Sequence, residues 1–169
     1  MKAFSRILLA GLLAGGVAGP AFAQATASDD AAASITVIRP ITIASSGDLA
    51  FGTVIRGAGT VAIAAANGNR TTALTTIGAG NTRAVFDIGG ESGQNFSITA
   101  PATIDLTGSV SGTLTVTLAY TATGTQALGG AGLGNAGTFT LGVGGTLTLA
   151  ANTPTGLFSG TIPITVDYQ

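Results

Sequence analysis

"GTLTVTLAYTATG", Gly112 to Gly124, sets the fold class, because a single period accounts for its order. Leu114, Val116, Leu118 and Tyr120 fall on one face of a period-two element and Thr113, Thr115 and Thr117 on the other. That is the pattern of a strand with one buried and one solvated face. Upstream and downstream the same alternation recurs in short runs rich in Thr, Val, Ile and Leu, and no helical period appears.

"SITVIRPITI" (Ser34–Ile43) sets Ile35, Val37, Ile41 and Ile43 on one face; Arg39 interrupts the row and Pro40 removes a ladder donor. "LAFGTVI" (Leu49–Ile55) follows a Ser-Ser-Gly-Asp turn, and "TVAIAA" (Thr60–Ala65) precedes Asn67-Gly68-Asn69, a tight-reversal signal. "TTALTTI" (Thr71–Ile77) is a weaker run; "RAVFDI" aligns Ala84, Phe86 and Ile88, and "NFSITA" aligns Phe96 and Ile98. "GTFTLGVGGTLTLAA" (Gly137–Ala151) reads as two strands separated at Gly144-Gly145, and "TIPITVDYQ" (Thr161–Gln169) as a last strand with Ile162, Ile164, Val166 and Tyr168 on one face. Roughly eight to ten strands at spacings near 8–12 residues predict an all-β, immunoglobulin-like antiparallel β-sandwich.

The N-terminus reads as a cleaved signal peptide, residues 1–23: Lys2 and Arg6, an apolar run from Ile7 to Val17, then the small-x-small site Ala21-Phe22-Ala23. The expected organisation is residues 24–33 as a flexible mature N-terminus and residues 34–169 as a single β-sandwich domain. Without Lys2 and Arg6, four arginines face seven acids, a net charge of −3, which argues against nucleic acid as a partner. Charged residues make up only 8% of the chain, far below a freely soluble surface, which favours self-association.

The composition excludes much chemistry. Cysteine and histidine are both absent, so neither a disulfide framework nor the usual nucleophile and soft-metal constellations can be built. There is no G-x-S-x-G motif. Gly132-Leu133-Gly134-Asn135-Ala136-Gly137 matches G-x-G-x-x-G, but a Thr-rich strand follows where a dinucleotide site needs a helix. Asp29-Asp30, and Asp87 with Glu91 across an expected turn at Gly89-Gly90, are too sparse for a calcium site and read as solvated turn acids. Asn69-Arg70-Thr71 and Asn95-Phe96-Ser97 fit a sequon that arises often by chance. The expectation is a non-enzyme with no cofactor and no metal site.

Two resemblances attach to these runs. The closing "GTIPITVDYQ", with Ile162, Ile164, Val166 and Tyr168, resembles the C-terminal strand of chaperone–usher pilins, and "AASITVIRPITI" (Ala32–Ile43) resembles their donor extension. More broadly, "LAFGTV" and "VGGTLTLAANTPTGLFSGTIPITVDYQ" resemble an exported bacterial family, domain of unknown function number 4402, regarded as pilin-like; this likeness spans Ser34 to Gln169.

The resemblances imply a structural subunit of a surface filament or coat, exported through the periplasm and assembled by β-strand complementation. They imply self-association into a polymer, with a periplasmic chaperone and an outer-membrane usher as partners. Ile35, Val37, Ile41 and Ile43 then form the donor or first strand, and Ile162, Ile164, Val166 and Tyr168 the complementary edge. Whether the N-terminal strand is donated or kept stays open. Tyr168 either caps the apolar row of a strand that a chaperone recognises or plugs a closed sandwich with its hydroxyl in water. Two alternatives compete: a monomeric surface or glycan-binding module using the glycine-rich loop around Gln126–Gly137, expected to be flexible, and a small outer-membrane β-barrel.

Overall fold

Period-two patterning becomes pairing in nearly every run. The computed structural model describes residues 27–169, so the expected leader lies outside the described residues. The chain divides into two units, Met1–Ile35 and Thr36–Gln169. In the first, the described residues 27–35 are exposed and form no ladder. Among the described residues, the second holds all thirteen strands, every pairing is antiparallel, and no helix occurs.

In chain order the strands are β1 (Thr42–Gly47), β2 (Ala50–Val54), β3 (Gly59–Ile63), β4 (Arg70–Thr72), β5 (Thr76–Thr82), β6 (Ala84–Glu91), β7 (Asn95–Thr99), β8 (Thr103–Gly108), β9 (Thr113–Tyr120), β10 (Gly124–Ala127), β11 (Ala136–Leu149), β12 (Phe158–Ser159) and β13 (Thr165–Tyr168). The large sheet runs β1-β6-β11-β9-β8-β12, with β3 and β4 added beside the C-terminal half of β11. A three-stranded sheet, β10-β7-β13, and a two-stranded sheet, β2-β5, complete a sandwich-like fold. These are separate sheets with free edges, not the single closed ring that a membrane barrel requires.

Strand β9 shows why the alternation works: Val116 and Leu118 are buried while Thr113, Thr115 and Thr117 face solvent. Its row joins Ile88 from β6, Phe96 and Ile98 from β7, and Leu141 and Val143 from β11 in one core. Phe96 meets Phe139 edge-on, with centroids 5.4 Å apart at 71°, the arrangement the ring quadrupoles favour. Each fully buried aliphatic or aromatic side chain here contributes about 1.5–3 kcal/mol. The Tyr120 hydroxyl donates to the Pro101 carbonyl, and burial raises its pKa above 10.0.

Three local expectations give way. Gly144-Gly145 does not break the run into separate strands, because β11 passes without interruption through both. A Cβ at Gly144 would collide with the Ile63 carbonyl and Ala65 N, and one at Gly142 with the Ala65 carbonyl. These glycines let β3 and the chain leaving it cross close to β11, at the point where β6 hands its pairing over to β3. The last strand is shorter than its alternation suggests: residues 160–164 lie outside any ladder and only Thr165–Tyr168 pair, with β7. The first strand likewise begins at Thr42, since Pro40 cannot donate to a ladder.

Candidate functional site

A cavity of about 1050 Å³ opens in the sandwich. Its walls come from β2 and the segment before it (Asp48 to Val54), from the inward row of the large sheet (Phe86, Ile104, Leu106 and Leu114 among others), and from the run Thr153 to Ile162. Leu49, Phe51, Val54, Phe86 and Ile162 are only half-buried although they pack against the core. They are inward-facing side chains not fully covered, so this end of the fold is an apolar cleft and not a filled interior.

Backbone bordering the cleft is also unpaired. Among the described residues, β2 pairs only with β5, and Gly160, Thr161 and Ile162 of the cleft wall join no ladder. Unpaired N–H and C=O groups beside an apolar trough form a template for another strand.

The expected site residues divide into two sets. Ile35 and Val37 are 87% and 81% exposed and lie outside any strand, whereas Ile41 is half-buried against the core and Ile43, 36% exposed, sits on β1 paired to Ile88. Ile162, Ile164, Val166 and Tyr168 all pack against the core as one half-buried row, and of these Ile162 reaches the cleft. Val37 therefore stands outside that row.

Tyr168 does something its sequence setting does not announce. Its hydroxyl accepts the Glu91 N–H at 2.7 Å and donates to the Arg39 carbonyl at 3.0 Å, so it is not left to water. Glu91 is 2% exposed, correcting its reading as a solvated turn acid, because Gly89 and Gly90 continue β6 and carry it inside. Gly90 is required there: a Cβ would strike the Tyr168 hydroxyl and lie 2.7 Å from Leu128 Cδ1.

The buried carboxylate is fully partnered. Arg39 donates from its backbone N–H at 3.3 Å and from Nη1 at 3.0 Å, and the Gly134 N–H donates to the other oxygen. Burial pushes the Glu91 carboxyl up, but the Gly134 and Arg39 hydrogen bonds and the guanidinium charge together hold it below its ordinary 4.5. Arg39, expected to interrupt an apolar row, instead ties the base of the N-terminal segment to β6.

The glycine-rich loop is pinned by the same group of contacts, contrary to its expected flexibility. The Gly132 N–H donates to Ser92 Oγ at 2.9 Å, and Leu128 is buried. With the Gly129, Gly132 and Gly134 N–H groups spent on the fold, and with β11 instead of a helix following it, the loop lacks the helix N-terminus of a phosphate cradle. Asp87 is exposed and accepts from the Thr140 hydroxyl. Among the described residues no cluster of three carboxylates could hold a metal ion.

Sequence reading places Phe86 and Leu114 on apolar faces but assigns no face to Leu49 or Phe51 and does not recognise the strand holding Ile104 and Leu106, so the cleft wall does not emerge as a shared surface. A family described as a domain of unknown function (DUF4402) matches residues 41–168. No curated protein and no solved structure matches the chain.

Proposed function

We propose, from the premise that the chain belongs to the DUF4402 family, that it is an exported structural subunit of a bacterial surface filament or coat, assembled by β-strand complementation. The observation that carries this reading is the presence in one chain of an open apolar cleft and of a segment whose Ile35 and Val37 stand in water. Each feature is unfavourable alone. Burying either side chain gains about 1.5–3 kcal/mol, and the free edge of β2 supplies the backbone partners an incoming strand needs.

A neighbour's N-terminal arm, residues 27–38, satisfies both at once: main-chain bonds give affinity and alternate side chains fill the trough. Arm and cleft are different surfaces of the same chain, so the contact is head-to-tail and propagates into a polymer unless a rotation closes it. In this pilin-like scheme a periplasmic chaperone shields the cleft first and an outer-membrane usher directs the exchange, taking the subunit from periplasm to cell surface. A structural role asks for no nucleophile, base or cofactor, which suits a chain without histidine or cysteine.

The test compares the full chain with one lacking residues 27–38, on detergent gels run unheated and boiled and by negative stain. A ladder that collapses on boiling, with thin fibres, both lost on deletion, is the expected result. A single monomer band without fibres from the full chain would overturn the proposal.

A further inference from the structure

We infer that the neighbouring copy's residues 28–38 enter the cleft antiparallel to β2, with Asp29 and Asp30 set against Arg56. This rests on the strand-complementation reading and adds the direction and register that reading leaves open. The cleft follows β2 from Asp48 at one end to Arg56 at the other, and both are exposed. Among the described residues the one ion pair is Arg39 with Glu91, so Asp48 and Arg56 are both unpaired. Between them the wall is apolar, with Leu49, Phe51 and Val54 packed against the core. The groove thus carries opposite charges at its two ends.

The arm carries a matching order: Asp29 and Asp30, then Ala31 to Ser34, then Ile35 and Val37. Asp30 lies five residues before Ile35, about 17 Å along an extended arm; Arg56 lies five residues after Phe51, past the β2 irregularity at Gly52 and in the bend that follows the strand, so the two separations match in residue count and not in strict ladder register. An antiparallel arm with Ile35 set at Phe51 and Val37 at Leu49 therefore carries its acids toward the Arg56 end of the cleft. The long Arg56 side chain can serve either acid. Run parallel instead, the arm would bring its two acids to Asp48, where like charges repel. Apolar burial fixes how deep the arm sits, and charge fixes which way it points.

The experiment follows assembly of the full chain by light scattering and unheated gels at low salt, for Arg56→Glu, for Asp29→Arg with Asp30→Arg, and for the three changes together. All three positions are exposed, and circular dichroism with thermal melting checks that each variant folds. Each charge reversal alone should slow assembly about tenfold, because complementary charges act mainly on encounter. The combination should restore the rate to within about twofold, and roughly 0.5 M salt should erase the differences.

Single reversals that assemble at the wild-type rate, or a combination no better than its components, would overturn the inferred polarity while assembly still required residues 27–38. Assembly indifferent to deleting residues 27–38 would overturn the strand-complementation reading as well. It would also give the cleft to another occupant, such as a small apolar ligand.

Discussion

Replacing Tyr168 by Phe removes one oxygen and leaves the ring. In the folded chain that oxygen accepts the Glu91 N–H at 2.7 Å and donates to the Arg39 carbonyl at 3.0 Å. The two losses are unequal. The Arg39 residue is exposed, so water can replace the partner of its carbonyl at little cost, whereas Glu91 is 2% exposed and its N–H has no substitute nearby. A buried donor left unmade costs about 1–3 kcal/mol. For a domain of this size that lowers the melting temperature by roughly 3–9 °C, and it speeds local opening at the Glu91 amide by about 5- to 150-fold. Thermal unfolding of the purified chain reads the first effect and amide hydrogen exchange the second. A shift below about 1 °C, with the Glu91 amide exchanging as slowly as in the wild type, would refute the assignment of Tyr168 as its partner.

Glu91→Gln tests the same knot through pH. The folded carboxyl lies below its ordinary 4.5, so the stability it contributes is present above that value and is lost as pH falls through the lower folded pKa. The variant, with Arg39 left without its counter-charge, should therefore be weaker at neutral pH and converge on the wild type in acid. Urea midpoints from pH 7 to pH 3 check this, and a constant gap would contradict it. Gly144→Ala drives a methyl group into the Ile63 carbonyl; it should cost about 3 kcal/mol or prevent folding, while Gly124→Ala, with open space around it but φ at +69°, should cost less. Phe96→Ala empties a fully buried site beside Phe139 and should lose about 3–5 kcal/mol in denaturant unfolding.

Strands were legible wherever one face is covered and the other is wet. In β7 and β9 the apolar parity names the buried residues directly, Phe96 and Ile98 in one and Val116 and Leu118 in the other. Gly144-Gly145 was misleading because a glycine pair looks the same whether it ends a strand or admits a neighbour's backbone, and only the crossing of β3 distinguishes them. Glu91 was illegible for a different reason. Its partners Arg39, Gly134 and Tyr168 stand 52, 43 and 77 residues away, so no local pattern could mark it as buried. The cleft is illegible for a related cause: Phe86 and Leu114 stand on readable apolar faces, but incomplete covering depends on how the two-stranded sheet and the run Thr153 to Ile162 meet the large sheet.

The donor and acceptor roles can be tested by chemical capture, since the chain contains no cysteine of its own. A chain carrying Val37→Cys is mixed with one carrying Leu49→Cys, allowed to assemble, and oxidised. Insertion of one copy's arm beside the other's β2 should yield a disulfide between the two different chains, because paired residues on neighbouring strands lie within the roughly 4.4–6.8 Å Cα separation a disulfide needs. Fibres that form from the mixture without any such cross-link would contradict arm insertion into this cleft.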